Sequence, residues 1–384
     1  MGYGGIQTMI DVEALKQISF IVENDKTSST YKYVLLKSVI DASQRYDHLI
    51  RVEDSRAYIP LGLIIERWMF DYFPFVFKGI RQQHSHTSKI LNKPIEEAYE
   101  EIFNLLHLNR NDPWEQAYKA IQSAFKNTNQ SAAIAKAFLT LAQELAKTIT
   151  TMPMKFIGKE QYEIFQTDIT KYGRIKLASN ESCTILFLTQ HFGDFSISET
   201  HYNIFRYLGQ NLYGTSTIAL KWKEKTDSLN EQSHEAMHII DRLSNDNLAI
   251  ERDTSDIRSI LQDGMECVWS GKPLTPKTSD VDHVLPFSVW FNNDLWNLLP
   301  ADKKVNNQKR DKIPSPELIE RRADVIMDYW KLYEQKWNHR FNNELDVALL
   351  NNNQSIKSHD SAIASLIQKA SYLIYDRGYE SFCV

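Results

Sequence analysis

The runs Asp280-Val281-Asp282-His283-Val284-Leu285-Pro286, Asn293-Asp294-Leu295-Trp296-Asn297-Leu298-Leu299-Pro300 and Asn306-Asn307-Gln308-Lys309-Arg310-Asp311 decide how the last third of this 384-residue sequence folds. Asp280 to Leu285 reads as a strand ended by Pro286, because proline has no N–H to give to a ladder. Asp282 and His283 are consecutive, so on a regular strand they point to opposite faces and serve different partners, one a metal and the other a water. Asn292-Asn293-Asp294 are turn formers, and the apolar Leu295 to Leu299 reads as a second strand. Pro300-Ala301-Asp302 opens a helix that carries Asn306 and Lys309 three apart on one face. The predicted order is strand, loop, strand, helix, with a histidine, a carboxylate and amides converging on a compact site for hard-metal chemistry.

Outward from this stretch the texture changes twice. Residues 1–150 read as mostly helical: Tyr31 to Ser43, Pro94 to Leu108, Pro113 to Phe125 and the Ala-rich Ala132 to Ile149 all space apolar residues at helical period. The most apolar run, Tyr58 to Phe77, contains Glu66, Arg67 and Asp71, which a bilayer-spanning helix would have to bury, so it reads as a core helix. Thr151-Met152-Pro153 closes this region. Tyr162 to Thr167, Arg174 to Leu177 and Thr184 to Leu188 are short and β-prone, and Ser196 to Leu208 and Ser233 to Leu243 are helical. The fold class expected is α+β: a helical region 1–150, a middle α/β region 151–260 with a recognition or regulatory role, and a domain at 261–384 with a strand–strand–helix core and flanking helices.

Composition narrows the function classes. The chain is 42% hydrophobic and 24% charged, ordinary for a globular protein. A net charge of −5 excludes a basic nucleic-acid coat but not an enzyme with a local basic surface. Cys183, Cys267 and Cys383 are scattered and odd in number, which speaks against a disulfide framework and for a reducing cytosol. No signal-peptide pattern or myristoylation motif (position 6 is Ile6) is visible, so a soluble, cytoplasmic protein is expected.

Asp282-His283, Asn297-Leu298-Leu299-Pro300 and the Asn306-x-x-Lys309-x-Asp311 run, arriving in this order with His283, Asn297 and Asn306 14 and then 9 residues apart, resemble the HNH nuclease family, whose catalytic core is a ββα-metal fold. Asp282-His283-Val284-Leu285-Pro286 is also similar to the HNH domain of CRISPR effector nucleases. The resemblance covers about 50 residues. It implies that Asp282 and Asn306 supply oxygen ligands to one Mg²⁺ or Mn²⁺, that His283 acts as general base on the attacking water, and that Asn297 orients the imidazole. Lys309 is the implied phosphate contact, with Lys303, Lys304, Arg310 and Lys312 adding positive charge. The expected substrate is DNA, with RNA also open, and the expected ends are 5′-phosphate and 3′-hydroxyl. Many relatives of this type carry Cys-x-x-Cys pairs for a structural zinc, but Ser270 stands three after Cys267, so no structural zinc is expected and apolar packing by Val268, Leu285, Leu295 and Leu298 must hold the core. Family analogy also implies a bacterial restriction or antiphage-defence role. The enzyme would be self-sufficient or gated by a defence-system partner protein or activating ligand, and a homodimer would let two sites cut both strands.

Singly these residues mean little: an Asp-His dipeptide is usually a surface pair, and Lys303 to Lys312 a solvated helix face. A competing motif, His234-Glu235-Ala236-Met237-His238, matches the zinc-peptidase pattern H-E-x-x-H, but its polar flank and the lack of a third ligand favour an exposed amphipathic helix. A zinc metallopeptidase, or a catalytically silent nucleic-acid-binding module, is therefore the alternative. His84-Ser85-His86 reads as a polar loop, and His191 and His201 as helix-start residues.

Overall fold

The computed structural model describes residues 11–24, 27–84, 90–158, 163–167, 172–213, 218–231, 233–244, 254–262, 264–290, 293–350 and 358–384, with the side chains of residues 210, 211 and 213 left aside. Ser85, His86 and Asn292 lie outside these residues. The chain divides into two compact units, 1–247 and 248–384.

In the first unit the elements run α1 (Val12–Asn24), α2 (Tyr31–Arg45), β1 (Arg51–Glu53), β2 (Arg56–Pro60), α3 (Leu61–Lys78), α4 (Lys93–Leu105), α5 (Trp114–Lys126), α6 (Ala132–Thr151), α7 (Pro153–Phe156), β3 (Gln166–Thr167), α8 (Ile185–His191), β4 (Asp194–Ser198), α9 (Glu199–Tyr213), α10 (Ile218–Asn230) and α11 (His234–Ser244). The helix α3 is buried on nearly every face, as an apolar-all-round helix must be, and packs against α2, α5, α6 and α8. Its charges find partners inside: Lys37 lies 3.1 Å from both Asp71 and Asp41, and Arg67 lies 3.3 Å from Asp41. Rings of Phe70, Phe73 and Phe77 meet Phe103, Tyr118 and Phe125 edge-on around it. Helix α3 ends at Gly79, whose φ of +74° suits a residue with no Cβ.

The small sheet has the order β1-β2-β4-β3, all antiparallel, with Arg56 opposite Ser198 and Pro60 opposite Asp194. The sequence divides this unit at about residue 150, yet β4 pairs with β2 across that point, and α8 and α9 pack on α3 and α2. The described residues of 151–244 therefore share one sheet and one core with those of 11–150. Three local expectations are corrected. Thr184 to Leu188 is not a strand: Thr184 precedes α8, whose Phe187 and Leu188 are buried on the α3 side. Arg174 to Leu177 forms no strand, and follows a 3-10 turn at Tyr172–Arg174. The helix expected from Ser196 begins at Glu199, because Asp194–Ser198 is claimed by the ladder with β2.

The second unit contains α12 (Ser255–Arg258), β5 (Ser279–His283), α13 (Phe287–Trp290), β6 (Leu298–Asp302), α14 (Lys303–Lys309), β7 (Ile313–Pro314), α15 (Pro316–Arg321), α16 (Ala323–Ala348), α17 (His359–Ser371) and β8 (Ser381–Phe382). The strands β5 and β6 pair antiparallel from Ser279↔Asp302 to His283↔Leu298, and α14 packs on both. The second strand begins at Leu298 rather than Leu295: Leu295–Asn297 forms a 3-10 turn that α16 pins down, Trp330 Nε1 donating to the Trp296 carbonyl at 3.0 Å and the Tyr333 hydroxyl to the Leu298 carbonyl at 2.9 Å. Val268, Leu285, Leu295 and Leu298 are all buried.

Candidate active site

Strand alternation sends Asp280 and Asp282 to the same face of β5, the face covered by α14. Asn306 and Lys309 lie one turn apart on α14, so each meets one carboxylate. The Asn306 amide nitrogen donates to Asp280 Oδ2 at 2.9 Å. Lys309 Nζ lies 3.1 Å from Asp282 Oδ2 and donates to the His283 carbonyl at 2.6 Å. Trp269 Nε1 donates to the same Asp282 oxygen at 2.6 Å. Asp302 caps α14 by accepting the N–H groups of Lys304 and Val305, which sets where the helix starts.

His283 points the other way. Its Nε2 is 3.1 Å from Asn293 Oδ1, and its ring meets Phe287 edge-on at 5.4 Å. Asn297 holds the chain just beyond it: Oδ1 accepts the Leu285 N–H at 2.8 Å, Nδ2 donates to the Leu285 carbonyl at 3.0 Å, and the Asn297 carbonyl accepts the Val284 N–H at 2.8 Å. That three-point clamp fixes the backbone of residues 284 and 285, next to His283. It is a buried network with its polar atoms matched in pairs, the arrangement that makes such groups rigid.

Exposure sorts the residues that the sequence singles out. Asp282, His283, Asn297 and Lys309 are 2%, 1%, 0% and 0% exposed, while Asn306 and Asp280 are half-buried. Lys309, expected on a phosphate, instead faces inward as the counter-charge of Asp282. An uncompensated ammonium or carboxylate this deep would cost several kcal/mol. Lys303, Lys304 and Arg310 stand exposed on and just beyond α14, with Lys303 Nζ donating to the Lys277 carbonyl at 3.1 Å and Arg310 Nε to the Asn307 carbonyl at 3.3 Å. Asn306, expected beside Asp282, is bonded to Asp280.

Three residues of this site, Asp280, Asn293 and Trp269, had no role in the sequence reading. Asp280 was legible from its i, i+2 spacing to Asp282 on a strand. Asn293 passed as a turn former, and nothing in its spacing marks it as the imidazole's partner. Burial raises the Asp280 carboxyl, but hydrogen bonds from Asn306, the Val281 N–H and Arg258 outweigh it and hold the group below its ordinary range, so it is ionised near neutral pH.

Asp280 and Asp282 carry carboxylate oxygens and Asn306 an amide oxygen, the ligand type of a small hard cation, although both Asp282 oxygens are met by Lys309 Nζ. Among the described residues no group of three or more His, Cys, Asp or Glu is placed to hold a metal. Protein oxygens here would supply only part of a shell, as for an ion that keeps its waters and shares substrate phosphate. Cys267 is buried and its sulfur accepts the Asp302 N–H at 3.2 Å.

The other histidines stand apart. His234, Glu235 and His238 are exposed on α11, with Ala236, Ile239 and Ile240 inward and Glu235 3.9 Å from Lys78. His201 begins α9, bonded to Ser198 and Gln17, whereas His191 ends α8 rather than starting a helix. Among the described residues no helix is long and apolar enough to cross a membrane.

Comparison with known proteins divides the chain in a similar way. Residues 11–243, more than half of the chain, match the family model described as a domain of unknown function (DUF8808). Residues 267–315, which hold β5, β6, α14 and the clamp around His283, match the model described as HNH endonuclease. No curated protein and no solved structure matches the chain. The chain thus belongs to the DUF8808 family and carries an HNH endonuclease domain at residues 267–315.

Proposed function

We propose that the protein is a metal-dependent endonuclease that hydrolyses DNA phosphodiester bonds, leaving 5′-phosphate and 3′-hydroxyl ends. The observation that carries this reading is the placement of Asp280, Asp282 and His283 on β5 against Asn306 on α14, which bonds Asp280, together with the Asn297 clamp, inside a segment that matches the HNH endonuclease model. A bound Mg²⁺ or Mn²⁺ would neutralise charge on the scissile phosphate and the departing 3′ oxygen. Asp282 and Asn306 would hold it through oxygen, with Asp280 beside them. His283 is the general base: its Nε2 lies 3.1 Å from Asn293 Oδ1, and a ring nitrogen takes the proton of the attacking water. Asn297 acts through the backbone of residues 284–285 and keeps that nitrogen aimed. Lys303, Lys304 and Arg310 attract the polyanion.

Residues 11–243 then serve recognition or control, as in a nuclease of bacterial defence. The acidic total charge favours a gated effector over a self-sufficient sequence reader, which needs a broader basic surface. The test is plasmid and single-strand cleavage with Mg²⁺ or Mn²⁺, with and without chelator. His283→Ala is expected to lower the rate by at least ~100-fold while DNA affinity and fold are retained. Wild-type rates in that variant would overturn the assignment.

A further inference from the structure

The helix α12 reaches the site from outside the HNH-matched segment. Arg258, its last residue, places a guanidinium nitrogen on Asp280 Oδ1, and its Nε is held by Thr254 Oγ1 at 2.8 Å. The second Asp280 oxygen is taken by Asn306. The same short helix is anchored at Asp256, which pairs with Arg340 at 2.6 Å. Arg340 pairs with Glu344 at 2.7 Å, and Glu344 accepts the Leu295 N–H, two residues beyond the Asn293 that meets His283. The helix that carries Arg258 is thus tied to α16 through Asp256, while the Arg258 side chain itself stays half exposed.

We propose that Arg258 is a resident counter-ion of the Asp280–Asn306 pair, that it competes with the divalent cation for Asp280, and that it thereby sets the ion concentration at which the site loads. A guanidinium and a divalent cation cannot share Asp280 Oδ1, since two like charges at contact repel while each seeks the same lone pairs. The Arg258 side chain is half exposed, and exposed ion pairs are weak, so the cation displaces it readily instead of being locked out. Once displaced, the guanidinium remains beside the site as a donor for substrate phosphate.

This inference rests on the metal-dependent reading above, and its test separates the two. Mn²⁺ binding to the full chain is followed by electron paramagnetic resonance of the free ion, in wild type, Arg258→Ala, Arg258→Gln and Asp280→Asn, each combined with His283→Ala to prevent turnover. Both Arg258 variants are expected to bind Mn²⁺ about 2- to 5-fold more tightly, the range in which an exposed pair competes. Asp280→Asn is expected to weaken binding and to erase the gain from Arg258→Ala. Equal or weaker Mn²⁺ binding in both Arg258 variants overturns the proposal, as does an unchanged gain in the Asp280→Asn background; in either case, chelator-sensitive cleavage by the wild type leaves the metal-dependent reading standing. Cleavage that persists in chelator overturns that reading and this proposal together.

Discussion

Lys309 shows how one residue can change meaning between sequence and structure. On a helix three places after Asn306, it looks like a phosphate ligand; wholly buried against Asp282 and the His283 carbonyl, it is a brace. The two roles predict different things. Lys309→Met should destabilise the second unit by about 3–5 kcal/mol, because it leaves the Asp282 carboxylate buried without its cation. Denaturant unfolding of the variant measures this directly. A phosphate ligand would instead show weaker DNA binding and a salt slope smaller by about 1, with stability unchanged. Asn297 is the reverse case: its position in the HNH spacing was legible, but the reason for an amide there, an acceptor for the N–H and a donor for the C=O of the one residue Leu285, needed the fold.

At the scale of elements, α14 has two faces with separate duties. The inner face carries Asn306 and Lys309, and the outer one Lys303 and Lys304 with Arg310 after it. Replacing Lys303 and Lys304 by alanine should weaken DNA binding across all sequences and reduce the salt slope by about 1 per residue, as read by anisotropy titrations over a salt series, with little change in stability. The helix α16 contributes a pH term. Burial first, and then the charge of Asp294, push Glu344 up to about 7, against the pull of Arg340. A carboxyl raised in the folded state binds its proton more tightly there than in the unfolded chain, so stability from this group is greatest below the ordinary carboxyl range and is lost as pH rises through about 7. Relative to Glu344→Gln, the wild type should therefore lose on the order of 1 kcal/mol between pH 5 and pH 8. Chemical denaturation of both proteins at the two pH values checks the sign.

For the whole molecule, two units imply two unfolding events that can be perturbed one at a time. In the first unit, Gly62 lets α3 touch α8: a Cβ there would lie 2.3 Å from the Leu188 backbone carbon, a clash with main chain that cannot rotate away. Gly62→Ala should lower the transition of residues 1–247 by at least ~2 kcal/mol. Calorimetry should show the transition of residues 248–384 unmoved in this variant, and moved in Lys309→Met. A single shared shift in both variants would mean that the units unfold together.

The sequence alone determined the long helices of the first unit, from Tyr31–Arg45 to Ala132–Thr151, because apolar period and helix propensity act over many residues and add up. It also determined β5 and the His283, Asn297 and Asn306 spacing, because a short site on consecutive elements is written in local intervals. Only tertiary structure decided that Thr184 to Leu188 is helical and that Asp194–Ser198 pairs with Arg56–Pro60, since short apolar segments take whichever geometry their distant neighbours complete. The same holds at the site. Whether Lys309 meets water or Asp282, and whether Asp280 or Asp282 receives Asn306, depends on how α14 is rotated over β5, and that rotation is set by packing, which no local pattern encodes.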